Sequence, residues 1–129
     1  MTTLTLHATG PATPAEAWER YAFFARWPEW SPQITGVDVA ADRIGPGITG
    51  RVRGPLGVPL PFLVDEVDEA ARQWSWSVFA GPVRLQLTHW VSPGPDGGAT
   101  TGLRVRGAAP LVAGYAPLAL VALKGLVSA

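Results

Sequence analysis

Two side chains in this 129-residue sequence could act on a ligand from an apolar wall. His89 sits in a run where alternation puts Val83, Leu85, Leu87, His89 and Val91 on one face and Arg84, Gln86, Thr88 and Trp90 on the other. A histidine on the apolar face can take a proton, anchor a ligand as a donor, or sit neutral against a nearby carbonyl or hydroxyl. Tyr115 falls at helical spacing with Leu111, Leu118 and Ala122, so it offers either a hydroxyl to the same interior or a ring to the core. Asp65 and Glu66 occupy opposite registers of one strand, Asp65 with Leu63 and Val67, Glu66 with Leu60, Phe62 and Val64. Both registers are apolar, so the sequence leaves open which carboxylate looks inward, and surface solvation is the default over a general-acid role.

Other chemistries lack their parts. His7 and His89 are the only histidines, and alternation turns His7 outward with Thr3 and Thr5 while His89 turns inward, so they should not share a metal. With zero cysteines, and neither HExxH nor an aspartate-rich loop, no metal and no cofactor is expected. Gly45-Pro46-Gly47-Ile48-Thr49-Gly50 matches GxGxxG letter for letter. Arg51-Val52-Arg53 continues it as a strand, however, not as the helix whose N-terminus would hold a pyrophosphate, so it reads as a hairpin turn. GxSxG is absent.

The elements that must position His89 and Tyr115 follow from period and punctuation. Thr2 to Thr9 alternates as a half-buried strand. Thr13-Pro14-Ala15-Glu16 starts a helix, with Thr13 as cap, Pro14 at the first helical position and Glu16 completing a capping box; Ala17, Trp18, Tyr21 and Phe24 follow at helical spacing. Trp27-Pro28-Glu29-Trp30-Ser31-Pro32 cannot continue that helix and forms a knuckle with two rings to bury. Six strands then fit an antiparallel meander: Ile34 to Arg43, Gly47 to Gly54, Pro59 to Asp68, Arg72 to Ala80, Val83 to Ser92 and Ala99 to Ala108. Gly- and Pro-rich turns such as Gly45-Pro46-Gly47, Gly54-Pro55-Leu56-Gly57 and Ala80-Gly81-Pro82 separate most of them. Trp74, Trp76 and Val78 oppose Ser75 and Ser77, and Leu103, Val105 and Gly107 oppose Arg104 and Arg106. Arg51 and Arg53 point away from Val52, and the charged stripe reads as mostly the solvated outer face.

Pro110 to Ala129 is apolar on every side of a helical wheel, with Lys124 its only charge, and so calls for cover all round, from a bilayer, a partner chain or a wrapping sheet. It reaches membrane-spanning length only by counting Pro110, Gly114, Pro117, Lys124 and Gly125, so stable membrane insertion is not expected and the wrapped helix leads. The fold class is therefore α+β: a curved seven-stranded antiparallel sheet around a long C-terminal helix, with two short helices between strands one and two, in one domain over residues 1–129. Lys+Arg 10 against Asp+Glu 10 gives no basic field, so nucleic acid is not an expected partner. The start Met1-Thr2-Thr3-Leu4 lacks the features of a secretion signal, and the expected compartment is the cytoplasm. Only 16% of residues are charged while six are Trp, which implies apolar surface beyond a plain core and points to a cavity.

The order of elements and a set of local marks resemble the START-like (Bet v 1-like, SRPBCC) helix-grip superfamily, and within it the polyketide cyclase/dehydrase and lipid transport group. The marks are Pro14-Ala15-Glu16-Ala17-Trp18, the Trp-Pro-x-Trp-x-Pro knuckle, Val64-Asp65-Glu66-Val67-Asp68 before Arg72-Gln73-Trp74-Ser75-Trp76, His89 in its strand, and Gly97-Gly98-Ala99-Thr100 before the last strand. The resemblance implies a hydrophobic cavity between sheet and C-terminal helix, with Trp74, Trp76, Leu85, Leu87, His89, Leu103, Val105, Tyr115 and Leu118 near its wall. It adds no catalytic set, because the paired arginines point outward. Three readings stay open: binding of a small hydrophobic molecule (lipid, polyketide or aromatic) by a monomer or homodimer; a polyketide cyclase/dehydratase with His89 as base and Tyr115 or a carboxylate steadying the enolate; and a protein-interaction module using the apolar helix, where Gly114 and Gly125 would allow close approach.

Overall fold

The computed structural model describes residues 1–54 and 57–129. In chain order the elements are β1 (Thr2–Gly10), α1 (Pro14–Ala22), a 3-10 turn (Phe24–Arg26), α2 (Trp27–Trp30), β2 (Gly36–Val39), β3 (Thr49–Arg53), β4 (Pro59–Asp68), β5 (Gln73–Ala80), β6 (Val83–Pro93), another 3-10 turn (Pro95–Gly97), β7 (Ala99–Gly107) and α3 (Ala109–Leu126). The strands form one antiparallel sheet in the order β1-β7-β6-β5-β4-β3-β2, so the meander is sequential and β1 closes it beside β7. The expected turn Gly54-Pro55-Leu56-Gly57 lies partly outside the described residues, which omit Pro55 and Leu56.

α1 begins as its residues dictate, with Thr13 Oγ1 accepting from the Glu16 N–H at 3.1 Å and Pro14 in the first turn. It ends at Ala22 because Phe23 turns extended and bridges Arg43. The Phe24 N–H then bonds Asp42 O at 3.1 Å, and the Ile44 N–H bonds Ala22 O at 2.8 Å. Those bonds take the backbone of 42–44 out of the sheet, which is why β2 stops at Val39 and not at the expected Arg43. Gly47, in the GxGxxG stretch, has φ +81° and leads into β3, a turn with no helix after it.

The expected strand faces are observed on β6 and β7, except that Val83, at the start of β6, is exposed rather than buried with the inner set. Leu85, Leu87, His89 and Val91 are buried, as are Leu103 and Val105, while Arg104 and Arg106 are exposed. β4 departs from simple alternation. A bulge at Asp65 shifts the register, so that Val64 opposes Trp76, Glu66 opposes Ser75 and Val67 opposes Trp74. The inner face therefore passes from Val64 to Val67, and both Asp65 and Glu66 stand on the outer face. The question of which carboxylate looks inward is answered by neither.

α3 lies across β1 and β7 and buries Val112, Ala119, Ala122, Leu123 and Leu126. Its outer side, from Ala113 and Gly114 through Pro117 to Val121, is exposed, with Val121 at 53%. Cover all round is not what the chain supplies: a sheet reaches one side of a cylinder about 10 Å across, and α2 closes on only part of the rest. α3 is the helix long and apolar enough to cross a membrane by length and composition, and 28% of it is buried. At its C-terminal end Gly125 admits α2, since a Cβ there would stand 2.6 Å from Trp30 O. The Arg20 guanidinium ties off the same end by donating to Leu126 O (2.7 Å) and Ser128 O (2.8 Å).

Candidate functional site

A cavity of about 330 Å³ opens between the sheet, the knuckle and the N-terminal half of α3. Three lengths of chain build it. The inner face of β5 and β6 supplies Trp76, Val78, Leu85, Leu87 and His89; α3 supplies Leu111, Gly114, Tyr115 and Leu118; the knuckle and the segment after it supply Trp30, Ser31, Gln33 and Ile34. Val52 and Leu60 continue the wall across β3 and β4. The surface is almost wholly carbon.

Of the residues singled out from sequence, Trp76, Leu85, Leu87, His89, Tyr115 and Leu118 line this space, whereas Trp74, Leu103 and Val105 do not. The reason is what lies on top of each. Trp74 stacks on His89 (ring centroids 4.8 Å, 12° between planes) and on Trp76 (5.4 Å, 26°), with the Tyr21 and Trp27 rings closing at 5.7 and 5.6 Å. Leu103 and Val105, on β7, are sealed with α3 packed across that strand. Alternation assigns a face; it does not say which stretch of that face another element covers. The sequence marks the knuckle as having rings to bury, but carries no local signal that Trp30, Ser31, Gln33 and Ile34 form one end of the cavity.

His89 is 2% exposed and part of a directed hydrogen-bond chain. An indole N–H can only donate, so Trp76 Nε1 donates to His89 Nε2 at 3.0 Å, and the imidazole proton must then reside on Nδ1. Nδ1–H faces the Tyr21 hydroxyl at 3.2 Å, Tyr21 stands 2.7 Å from Thr101 Oγ1, and Thr101 donates to Trp90 O at 2.9 Å. Every proton in the chain is thus assigned by its terminal donor and its terminal carbonyl acceptor. Burial holds the His89 pKa down at about 3 and raises that of Tyr21 well above its ordinary value despite the bond to Thr101. His89 is therefore a neutral ring with both nitrogens engaged.

Tyr115 offers the cavity a phenol whose pKa burial pushes up to about 12, so it stays protonated and can donate or accept one hydrogen bond. Its hydroxyl and the Gln33 amide make no hydrogen bond to the described residues. His7 is on the outer face with its ring 5.8 Å from Trp90, far from any shared site with His89. Among the described residues, no group of three or more metal-ligating side chains converges.

A curved antiparallel sheet gripping a long C-terminal helix, with two short helices after the first strand, is the helix-grip fold of the START-like, Bet v 1-like proteins, a fold that binds hydrophobic ligands. The chain belongs to the family described as polyketide cyclase/dehydrase and lipid transport, whose model matches residues 1–128. No curated protein matches the chain. Among solved structures it is similar to XoxI from Bacillus cereus (16% identity, TM-score 0.83, 98% of this chain and 94% of that one). It is also similar to Ara h 8.0201 (17%, TM-score 0.72, 98% and 97%). A third likeness is to BexL, a di-domain ARO/CYC (21%, TM-score 0.81, 98% of this chain and 46% of that one). At these identities the likeness speaks for the fold alone.

Proposed function

We propose that this protein binds one small, largely apolar molecule in the cavity between the sheet and α3, and that it does so without transforming it. The observation that carries the reading is a partly open wall, almost wholly of carbon, in which the one imidazole among the described lining residues, His89, has both nitrogens occupied and the Tyr115 phenol stays protonated. A volume of about 330 Å³ is at the small end for ligand pockets, and about twice the engineered cavity that accepts benzene, so the ligand class is a molecule of roughly two fused or linked rings. Trp30 and Trp76 supply flat contact area, and the Tyr115 hydroxyl and Gln33 amide, which make no hydrogen bond to the described residues, are groups available to one polar end.

The cyclase or dehydratase reading requires a base with a lone pair facing the substrate. His89 would have to give up the Trp76 bond to provide one, and Asp65 and Glu66 stand on the other side of the sheet. The interaction-module reading draws on a different observation, the bare apolar stripe of α3 with Leu118 at 42% and Val121 at 53% exposure.

The test uses 1-anilinonaphthalene-8-sulfonate, a two-part aromatic probe. Wild-type protein should bind it saturably at one site, and Val78→Trp, which places an indole into the void, should weaken binding at least about tenfold, or 1.4 kcal/mol, with the melting temperature unchanged. Equal binding by that variant, at unchanged stability, overturns the assignment of the cavity. Native mass spectrometry under mild conditions should show a co-purifying ligand, and consistently empty protein counts against the reading.

A further inference from the structure

We propose a second binding site, for a phosphate group, on the outer face of the sheet, back to back with the apolar cavity and independent of what that cavity holds. A depression of about 350 Å³ lies there over β4 to β7, with Arg84, Arg104 and Arg106 along one side and Asp65 and Glu66 along the other. Its floor is the backbone of Trp76 and Leu87, whose side chains point the opposite way into the inner cavity.

The arginines are what set this face apart. Arg20, Arg26, Arg43 and Arg53 each have a carboxylate oxygen within 4.0 Å, whereas among the described residues Arg51, Arg72, Arg84, Arg104 and Arg106 have none. Three of those five line the same depression. The chain does not lack acids to pair with them, since ten Asp and Glu balance ten Lys and Arg; it uses the others elsewhere. Arg104 and Arg106 are two residues apart on one strand, about 7 Å, opposite Thr88 and Gln86, and Arg84 is the diagonal neighbour on β6. Like charges at that spacing lie within a Debye length of about 8 Å and repel unless an anion sits among them.

The neighbouring carboxylates do not fill that role. Ser77 Oγ accepts from Arg84 Nε (3.0 Å) and Nη2 (2.7 Å) while donating to Asp65 Oδ2 at 2.8 Å, so a hydroxyl stands between Arg84 and Asp65 and fixes the guanidinium with Nη1 unused. Glu66 stands opposite Ser75, on the β4 side. Arg104 lies over the Trp90 ring, 5.8 Å from its centroid, which holds its plane without consuming its N–H groups. Arg84 also lies 6.0 Å from the centroid of the Phe79 ring, so Arg84 and Arg104 flank the hollow from its two ends with Arg106, the Thr88 hydroxyl and the Gln86 amide between them. A tetrahedral dianion, which presents oxygens in several directions, suits such a row better than a planar carboxylate does.

Arginine Nε–H resonances of labelled protein, titrated with inorganic phosphate at constant ionic strength, test this directly. Arg84, Arg104 and Arg106 should shift saturably while Arg51 and Arg72 stay still. The double variant Arg104→Gln with Arg106→Gln should raise the dissociation constant at least about tenfold, and Arg51→Gln should leave it unchanged. All five resonances moving alike, or none saturating, would mean a merely solvated face and overturns the site. Given saturable phosphate binding, flotation with phosphatidylcholine vesicles only when they contain phosphatidic acid, and lost in the double variant, assigns the phosphate to a lipid headgroup. Saturable phosphate binding without flotation assigns it to a soluble phosphate ester. Because the probes contact only the outer face, failure here leaves the cavity reading intact.

Discussion

The two halves of α3 present the same sort of apolar surface to very different neighbours. Toward its C-terminus Gly125 lets the knuckle in until its backbone touches, Leu123 and Leu126 are sealed, and Arg20 holds the last carbonyls. Toward its N-terminus a Cβ at Gly114 would meet nothing within 4 Å, and Leu111, Tyr115 and Leu118 look onto empty space. Hydropathy does not distinguish these halves. What does is the four-residue helix Trp27–Trp30, which plugs one end of the sheet's inner surface with Trp27 and leaves the other end hollow beyond Trp30. The cavity is thus a region that a local element fails to reach.

The largest test of that contrast is to remove the plug. Trp27 is fully buried, packs on Phe24, Phe62, Trp74 and Trp76, and donates from Nε1 to Tyr21 O at 2.9 Å. Trp27→Ala should lower stability in urea by about 3–5 kcal/mol, whereas Leu118→Ala at the hollow end should cost under about 1 kcal/mol. Similar costs at the two sites would erase the distinction.

Acid provides the next test. The folded pKa of His89, about 3, lies below the ordinary 6.5, so the unfolded chain takes up this proton first. The stability it contributes is complete above pH 6.5 and is lost as pH falls toward 3, with a slope approaching about 1.4 kcal/mol per pH unit. His89→Gln should remove that slope from the wild-type difference curve. A slope that survives the substitution would show that the stacked ring is not the buried neutral group described here.

The smallest effects come from the two glycines. Gly125→Ala drives a methyl into Trp30 O and should cost about 1–3 kcal/mol, while Gly114→Ala meets nothing, gains helix propensity and should stabilise by about 0.5–1 kcal/mol. Melting temperatures of the pair should therefore move in opposite directions.

Much of this was legible in the residues. Thr13, Pro14 and Glu16 announce the start of α1 because capping is settled within four residues, and the inward face of β6 follows from a strict period of two. The bulge at Asp65 was not legible. Leu63, Val64 and Val67 permit either register, and the choice is made by Trp76 and Trp74 across the strand pair and by Ser77 holding Asp65 outside. Nor could alternation separate Trp76, which borders the cavity, from Trp74, which is roofed by Tyr21 and Trp27 from elements some fifty residues earlier in the chain.

What the amino-acid order determined by itself is the list of elements and, on the strands without a bulge, the side on which each residue stands, since backbone stereochemistry, capping and the pleat act between near neighbours. Where the interior is full and where it is empty, which nitrogen of His89 carries the proton, and which arginines have no carboxylate beside them among the described residues were decided only in three dimensions. Each of those depends on atoms from three or four separate strands and helices arriving at one point, and no local pattern encodes that meeting.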